Sequence, residues 1–395
     1  MNPENTDALE KKLQEFRDLH HHRRDIILHW KKETKGPVLG VLCSYAPRDI
    51  LWAYGILPVR IHRLPGEAFS ASFAGQYLPS FVCPFARNAL DGALSGAYDA
   101  LDGLIFSYTC DAACGLFNIW SRLVPGDLFW QVSQPYATGD GAETFLLAEY
   151  VRLCGKLEHH LGVKTDPDRL KRSLTLFQEI RQTVETFYEM RRKNPLLISG
   201  TDFYSVLYSG FFLPPPEFLR RLTELLELCA ARPKREWGHK TPLFLSGTIL
   251  EDLLLLDLIE NAGGVVVDDD ICGGRRCFLS DNPAGPFFRE TDAPQDISSL
   301  LAEIVKGVGC RNACPSRGIP HDRFARVLSS YKASKSKGIV AIAPKFCDPA
   351  LADYPLMQDY FKEQGIPLIF LEMEEAPGSG GQWKTRMEAF LEMIG

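Results

Sequence analysis

The 395-residue chain has no run of about eighteen apolar residues, the length that a membrane-crossing helix needs. It has no surplus of basic charge. Its 44 Lys and Arg stand against 50 Asp and Glu, a net charge of −6, which argues against a sequence-independent grip on nucleic acid. No G-x-G-x-x-G follows a strand-like run and no G-x-x-x-x-G-K-[ST] occurs, so the usual dinucleotide and ATP-phosphate cradles are missing. The glycine-rich GSGGQ at 378–382 reads as a loop before a last helix. No G-x-S-x-G elbow and no H-E-x-x-H are present, which leaves hydrolase and zinc-protease readings without support. No two cysteines stand as C-x-x-C. The opening MNPENTDALEKKLQEF is charged and amphipathic and lacks the apolar core of a secretory leader. A cytoplasmic protein, with no membrane and no nucleic-acid partner, is the expectation.

What the chain does have is cysteine, eleven in all. A chain of this length without an export leader makes a disulfide framework a poor reading, and buried cysteine in a reducing compartment behaves as a small hydrophobe. Cys43, Cys154 and Cys229 lie in strongly apolar surroundings that suit this. Cys110 and Cys114 are four apart, as are Cys310 and Cys314, but the two pairs sit in unlike settings, which is poor zinc spacing. Cys272 and Cys277 flank GGRR, where packing and function are equally open. Cys83, Cys110 and Cys347 stand out because each follows an apolar stretch or adjoins a proline, where strand gives way to loop. Three thiolates gathered from such points would suit an iron–sulfur cube with one iron left open. By spacing alone, the trio defines no generic motif.

Other polar clusters have plainer readings. The histidines of HHH at 20–22 cannot share a helix face, so a solvated basic patch is expected there. Asp268, Asp269 and Asp270 end a strand, where carboxylates more often cap a helix or bond loop amides than bind metal.

The hydrophobic pattern sets out the architecture. Leu9, Leu13, Phe16, Ile26, Ile27 and Trp30 predict one helix over 5–33, ended by Lys-Gly-Pro at 35–37. Strand-like and helical stretches then alternate to about residue 135. Residues 141–234 read as mainly helical, with a proline break at 213–216. A second strand–helix series begins near 242, with a helix expected over 249–263. The rhythm predicts an α/β fold of two Rossmann- or flavodoxin-like parallel-sheet lobes. The expected divisions are an N-terminal helix (1–35), a first lobe (36–140) with Cys83 and Cys110, a helical segment (141–238) and a second lobe (239–395) with Cys347. Ligands of open parallel sheets gather beyond the carboxyl ends of the strands, so a site between the lobes could use Cys110 and Cys347 together.

Five segments carry a resemblance. They are GVLCSYAPRDILWAYGILPVRI, LPSFVCPFARNALDGALSGAYDALDGLIFSYTCD, GGVVVDDDICGGRRCF, APKFCDPALADYPLMQDYFKEQGIPLIFLEME and GQWKTRMEAFLEM. In this order, from about residue 36 onward, they resemble the family of 2-hydroxyacyl-CoA dehydratase and benzoyl-CoA reductase subunits. The resemblance implies a heterodimer of two related subunits in anaerobic metabolism. Each of the two can hold a [4Fe–4S] cluster on three cysteines, here Cys83, Cys110 and Cys347, with Cys110 favoured over Cys114. A separate ATP-dependent iron–sulfur activator would supply one low-potential electron, which agrees with the missing phosphate loop. That electron would form a ketyl radical on an acyl-CoA or aryl-CoA thioester, from which a neighbouring hydroxyl leaves in the lyase branch, while the oxidoreductase branch reduces an aromatic ring. The resemblance puts Ser44 near the cluster as a catalytic hydroxyl, and Tyr45 and Arg276 as substrate contacts. Two alternatives belong to the same family: a double-cubane reductase of small molecules, and a non-catalytic electron-relay subunit.

Overall fold

A computed structural model describes residues 3–63, 73–232, 238–279, 296–309, 314–374 and 379–395. Cys310, part of one of the cysteine pairs above, and residue 378 of GSGGQ lie outside the described residues; residues 379–382 of that stretch open the last helix instead of forming the expected loop. Helix α1 (Pro3–His21) buries Leu9, Leu13 and Phe16 along one face. The single helix expected over 5–33 is divided at His22. There the amide is shared between the Asp18 and Leu19 carbonyls, and the ring Nδ1 also takes the Asp18 oxygen at 2.9 Å. Helix α2 (Arg23–Thr34) follows and ends on Lys35, a left-handed residue with φ 56°.

The first lobe is a parallel sheet of β1 (Val38–Leu42), β2 (Leu57–Arg60), β3 (Gly103–Tyr108) and β4 (Leu128–Ser133), in the order β2-β1-β3-β4. Its crossings carry α3 (Arg48–Ala53), α4 (Pro84–Leu94) and α5 (Asp111–Leu123). Every residue of β1 is buried, as a central parallel strand covered on both faces requires. Four helices come next: α6 (Asp140–Leu161), α7 (Pro167–Lys193), α8 (Gly200–Ser209) and α9 (Pro215–Ala230). Asp166 caps α7 through the Asp168 amide, and Ser199 caps α8 through Asp202.

The second lobe runs β5 (Thr241–Gly247), α10 (Leu254–Asn261), β6 (Gly264–Asp270), α11 (Arg275–Phe278), α12 (Ile297–Gly309), α13 (Pro320–Ala333), β7 (Gly338–Pro344), α14 (Asp348–Glu363), β8 (Leu368–Met373) and α15 (Ser379–Ile394). Its sheet order is β6-β5-β7-β8 and all pairs are parallel. The two sheets therefore share one topology, with β3 and β7 in equivalent places. The α/β architecture of two parallel-sheet lobes is as the sequence predicts.

Two further details differ from expectation. The helix predicted over 249–263 starts only at Leu254. Residues before it are drawn into cross-chain contacts: the Leu250 carbonyl accepts the Tyr208 hydroxyl at 2.6 Å, and the Glu251 carboxylate takes the Arg63 amide and the Asn88 side chain. Helix α12 belongs by sequence to the second lobe, yet Leu300, Leu301, Ile304, Val305 and Val308 pack in one core with Val41, Ile105 and Leu128 of the first and Tyr150 of α6. The helices after the first lobe share a core with one face of the second sheet, through residues such as Phe187, Phe203, Leu245 and Ile342. The halves are thus interleaved. Among the described residues, no helix is long and apolar enough to cross a membrane.

Candidate functional site

Cys83, Cys110 and Cys347 each occupy the position immediately before a helix, at the N-termini of α4, α5 and α14. Cys110 follows β3 and Cys347 follows β7, so the two come from equivalent crossings in the two lobes. The structure brings all three into one apolar cluster, with Leu42, Phe106 and Leu116 among its walls. Cys347 lies within electrostatic reach of Cys83 and Cys110, and Cys110 of Cys83. Residues 27 and 264 positions apart along the chain, counted from Cys83, thus meet in space.

Burial dominates the chemistry of these thiols. It raises Cys83, pushes Cys110 up to about 11, and lifts Cys347 further. Backbone amides three residues on act the other way: Ala86 on Cys83, Ala113 on Cys110 and Ala350 on Cys347. None reaches full capping geometry. Three helix N-termini aimed at one place nevertheless favour negative charge there, each by about 0.3–1 kcal/mol in exposed settings. Thiols that cost much to ionise alone, set where amide dipoles await an anion, suit a bound cation that displaces their protons. Among the described residues, no three His, Cys, Asp or Glu side chains close around a single metal ion. A cube offers separate irons to separate thiolates, so the donor set fits such a cluster in kind: all sulfur, with apolar walls.

A second group of thiols adjoins the first. Cys43 follows β1, Cys272 follows β6, and Cys314 precedes α13; all are free. Cys43 and Cys314 each lie within electrostatic reach of Cys272. Cys272 in turn reaches Cys347, and Cys314 reaches Cys110. Cys43 has φ 81° and Phe346, beside Cys347, has φ 61°. Non-glycine residues rarely adopt that region, and such strain gathers at functional turns. The sequence signal for Cys43 was a cysteine directly after an apolar strand; Cys272 and Cys314 carried no such signal.

The other expected residues fall differently. Ser44 is buried and lines a small cavity with Arg48, Phe177, Arg181 and Phe278; none of the three cysteines lines it. Tyr45 is almost wholly buried, and its hydroxyl accepts the Cys314 amide at 3.1 Å. Arg276 is fully buried and ion-paired to Asp270 at 2.9 Å. It also donates to the Gly247 carbonyl, the Asp270 carbonyl and the Cys272 sulfur, the last at 3.2 Å. Its groups tie the ends of β5 and β6 together. Asp270 also pairs with Arg323, which reaches Asp353 of α14, the helix that Cys347 begins.

The other two aspartates behave as the sequence suggests for a loop-binding cluster. Asp269 accepts from Tyr188, Tyr204 and the amides of Ile271 and Arg275. Burial raises it to about 6 against those bonds. Asp268 pairs with Arg192 and Arg275, each at 3.0 Å. The sequence did not reveal a second, small cleft, lined by Pro84, Phe85, Asn88, Glu251, Pro344 and Met373. It opens beside the start of α4 and the end of β7, next to two of the cysteines.

The chain is also similar to known proteins over nearly its whole length. The profile of the 2-hydroxyglutaryl-CoA dehydratase, D-component, matches residues 43–394. The chain is 28% identical to the lactoyl-CoA dehydratase subunit beta of Anaerotignum propionicum, over 97% of this chain and 98% of that one. It is 26% identical to the (R)-phenyllactyl-CoA dehydratase beta subunit of Clostridium sporogenes, over 98% and 99%. It is 27% identical to one of the benzoyl-CoA reductase subunits of Thauera aromatica, over 92% and 93%. With three thiols gathered where the two lobes meet and a match spanning almost its whole length, the chain belongs to the 2-hydroxyglutaryl-CoA dehydratase D-component family, a family of dehydratase and reductase subunits.

Proposed function

We propose that this chain is the iron–sulfur subunit of an acyl-CoA dehydratase or aryl-CoA reductase, with Cys83, Cys110 and Cys347 as ligands of a [4Fe–4S] cluster. The observation that carries the reading is the convergence of these three thiols, each at a helix N-terminus, in one apolar cluster. When bound, the cluster supplies a low-potential electron and one iron without a protein ligand, able to polarise a thioester carbonyl. The chain's own residues do the rest. The apolar walls around Leu42, Phe106 and Leu116 keep water from the cysteines. The cleft at Phe85, Asn88 and Glu251 is the approach for the thioester, and the Glu251 carboxylate, held by the Arg63 amide and the Asn88 side chain, fixes one of its walls. Arg276 positions the Cys272 loop rather than touching substrate, because both of its Nη groups are already engaged. Ser44 and Tyr45 shape the neighbouring wall of the site.

The partners follow from the same reading. The relatives named beta subunits work beside another subunit, and a related second subunit is the expected partner here. Phe81 (68% exposed) and Phe346 (40% exposed) stand within two residues of Cys83 and Cys347 and offer it apolar surface. The electron comes from an ATP-dependent activator protein. Anaerobic turnover of the two-subunit complex with activator, ATP and a panel of acyl-CoA and aryl-CoA thioesters tests the function. Reduction or dehydration of one of them is expected; a cluster-loaded complex inert toward the whole panel would leave only a relay role.

A second reading has its own observation. Cys43, Cys272 and Cys314 adjoin the trio, and six thiols suit a larger, double-cubane cluster. Iron counting decides: about four per chain supports the single cube, and about eight the larger cluster.

A further inference from the structure

We propose that Arg60 is the fixed counter-charge of the thiolate-held group at the lobe interface and raises its reduction potential. The inference rests on the cluster reading above. Arg60 ends β2, and its side chain is only 3% exposed. Its Nη1 donates to the Cys272 carbonyl at 2.7 Å, and its guanidinium lies 4.8 Å from the Phe211 ring centre. Its backbone amide donates to the Phe211 carbonyl at 2.8 Å, and its Nε has no partner. Its charge lies within electrostatic reach of the thiols of Cys277, Cys272 and Cys43, and its side chain also hydrogen-bonds Cys277.

The neighbouring buried arginines are balanced. Arg276 and Arg323 share Asp270, and Arg323 also has Asp353. Among the described residues no carboxylate stands within ion-pair reach of Arg60. Arginine stays protonated at any ordinary pH, and an unbalanced buried cation is costly. A fold that keeps one beside three thiols has placed it for negative charge. Cys272 faces both Arg60 and Cys347, so the guanidinium sits one thiol away from the trio.

Reduction moves one electron from a low-potential donor to the cluster, whose charge becomes more negative by one. Arg60 gives up no proton and forms no bond; its positive charge simply favours the reduced state. A purely structural strap from β2 to the Cys272 loop would hold the same contacts without this effect.

The test is an anaerobic redox titration followed by electron paramagnetic resonance, with iron and sulfide counted in each sample. Arg60→Gln is expected to keep its iron while the reduced-to-oxidised ratio at a fixed potential falls at least tenfold, equivalent to about 59 mV for one electron. Arg60→Lys, which keeps the charge, should stay within threefold of the parent. Cys277→Asp, which sets a carboxylate beside an intact Arg60, should lower the ratio as well, and it decides the matter if Arg60→Gln fails to load iron. Parent-like titration of the glutamine and aspartate variants, or equal shifts in the lysine and glutamine variants, would overturn the proposal. A parent protein that binds no iron would instead overturn the cluster reading itself.

Discussion

Cys110 and Cys114 differ by one helical turn, and that turn separates their surroundings. Cys110 stands before α5 among the trio, whereas Cys114 lies inside the helix, with the Asn118 side chain 3.9 Å from its sulfur. Cys114→Ala should therefore retain the full iron content of the parent, and Cys110→Ser should lose most of it; the reverse pattern in an iron assay would exchange the assignments. Gly274 shows a different kind of necessity. A Cβ there would lie 2.3 Å from the Asp269 carboxylate, which four donors hold in place. Gly274→Ala should cost about 3 kcal/mol in denaturant unfolding. Gly155→Ala, in open space on α6, should instead add up to about 1 kcal/mol. The DDD run was legible as a loop-binding cluster because strand-end carboxylates usually serve nearby amides. The buried state of Arg276 was not legible, since nothing in GGRR distinguishes an arginine turned inward from one turned to substrate.

At the scale of elements, strands and most helices could be read from periodicity, because central parallel strands are apolar throughout and helices carry a 3.6-residue stripe. The failures share a cause: tertiary contacts overrode local pattern. Residues 249–253 have a helical pattern but spend their polar groups on Tyr208, Arg63 and Asn88. Helix α12 has an ordinary apolar stripe that does not say which lobe it will cover. The anchoring of α1 yields a pH prediction. His20 is buried, with Nε2 donating to the Ser205 carbonyl at 2.8 Å, and burial lowers its pKa to about 4 from 6.5. The unfolded chain binds this proton first, so its contribution to stability is complete above about pH 6.5 and declines as the pH falls toward 4. The loss amounts to about 3 kcal/mol. His20→Gln, which can keep the donor to Ser205, should flatten the acid limb of the stability–pH curve by about that amount. An unchanged acid limb would show that His20 is solvated in the native protein.

For the whole molecule, the decisive feature is one topology used twice. Sheet orders β2-β1-β3-β4 and β6-β5-β7-β8 place Cys110 and Cys347 after equivalent strands, and Cys83 joins them from the start of α4. The two lobes were visible in the sequence as a repeated strand–helix rhythm. That the trio would meet could be expected only through resemblance, because no spacing rule connects residues from opposite halves of a chain. The second thiol group and the unbalanced Arg60 emerged only once the lobes were set face to face. The central claim is that thiols from both lobes hold one cluster, and Cys347 tests it most directly because it alone of the trio comes from the second lobe. The measurement is iron and acid-labile sulfide per chain after anaerobic reconstitution of the parent and of Cys347→Ser. The account predicts about four irons in the parent and near-complete loss in the variant; full iron in Cys347→Ser would contradict it.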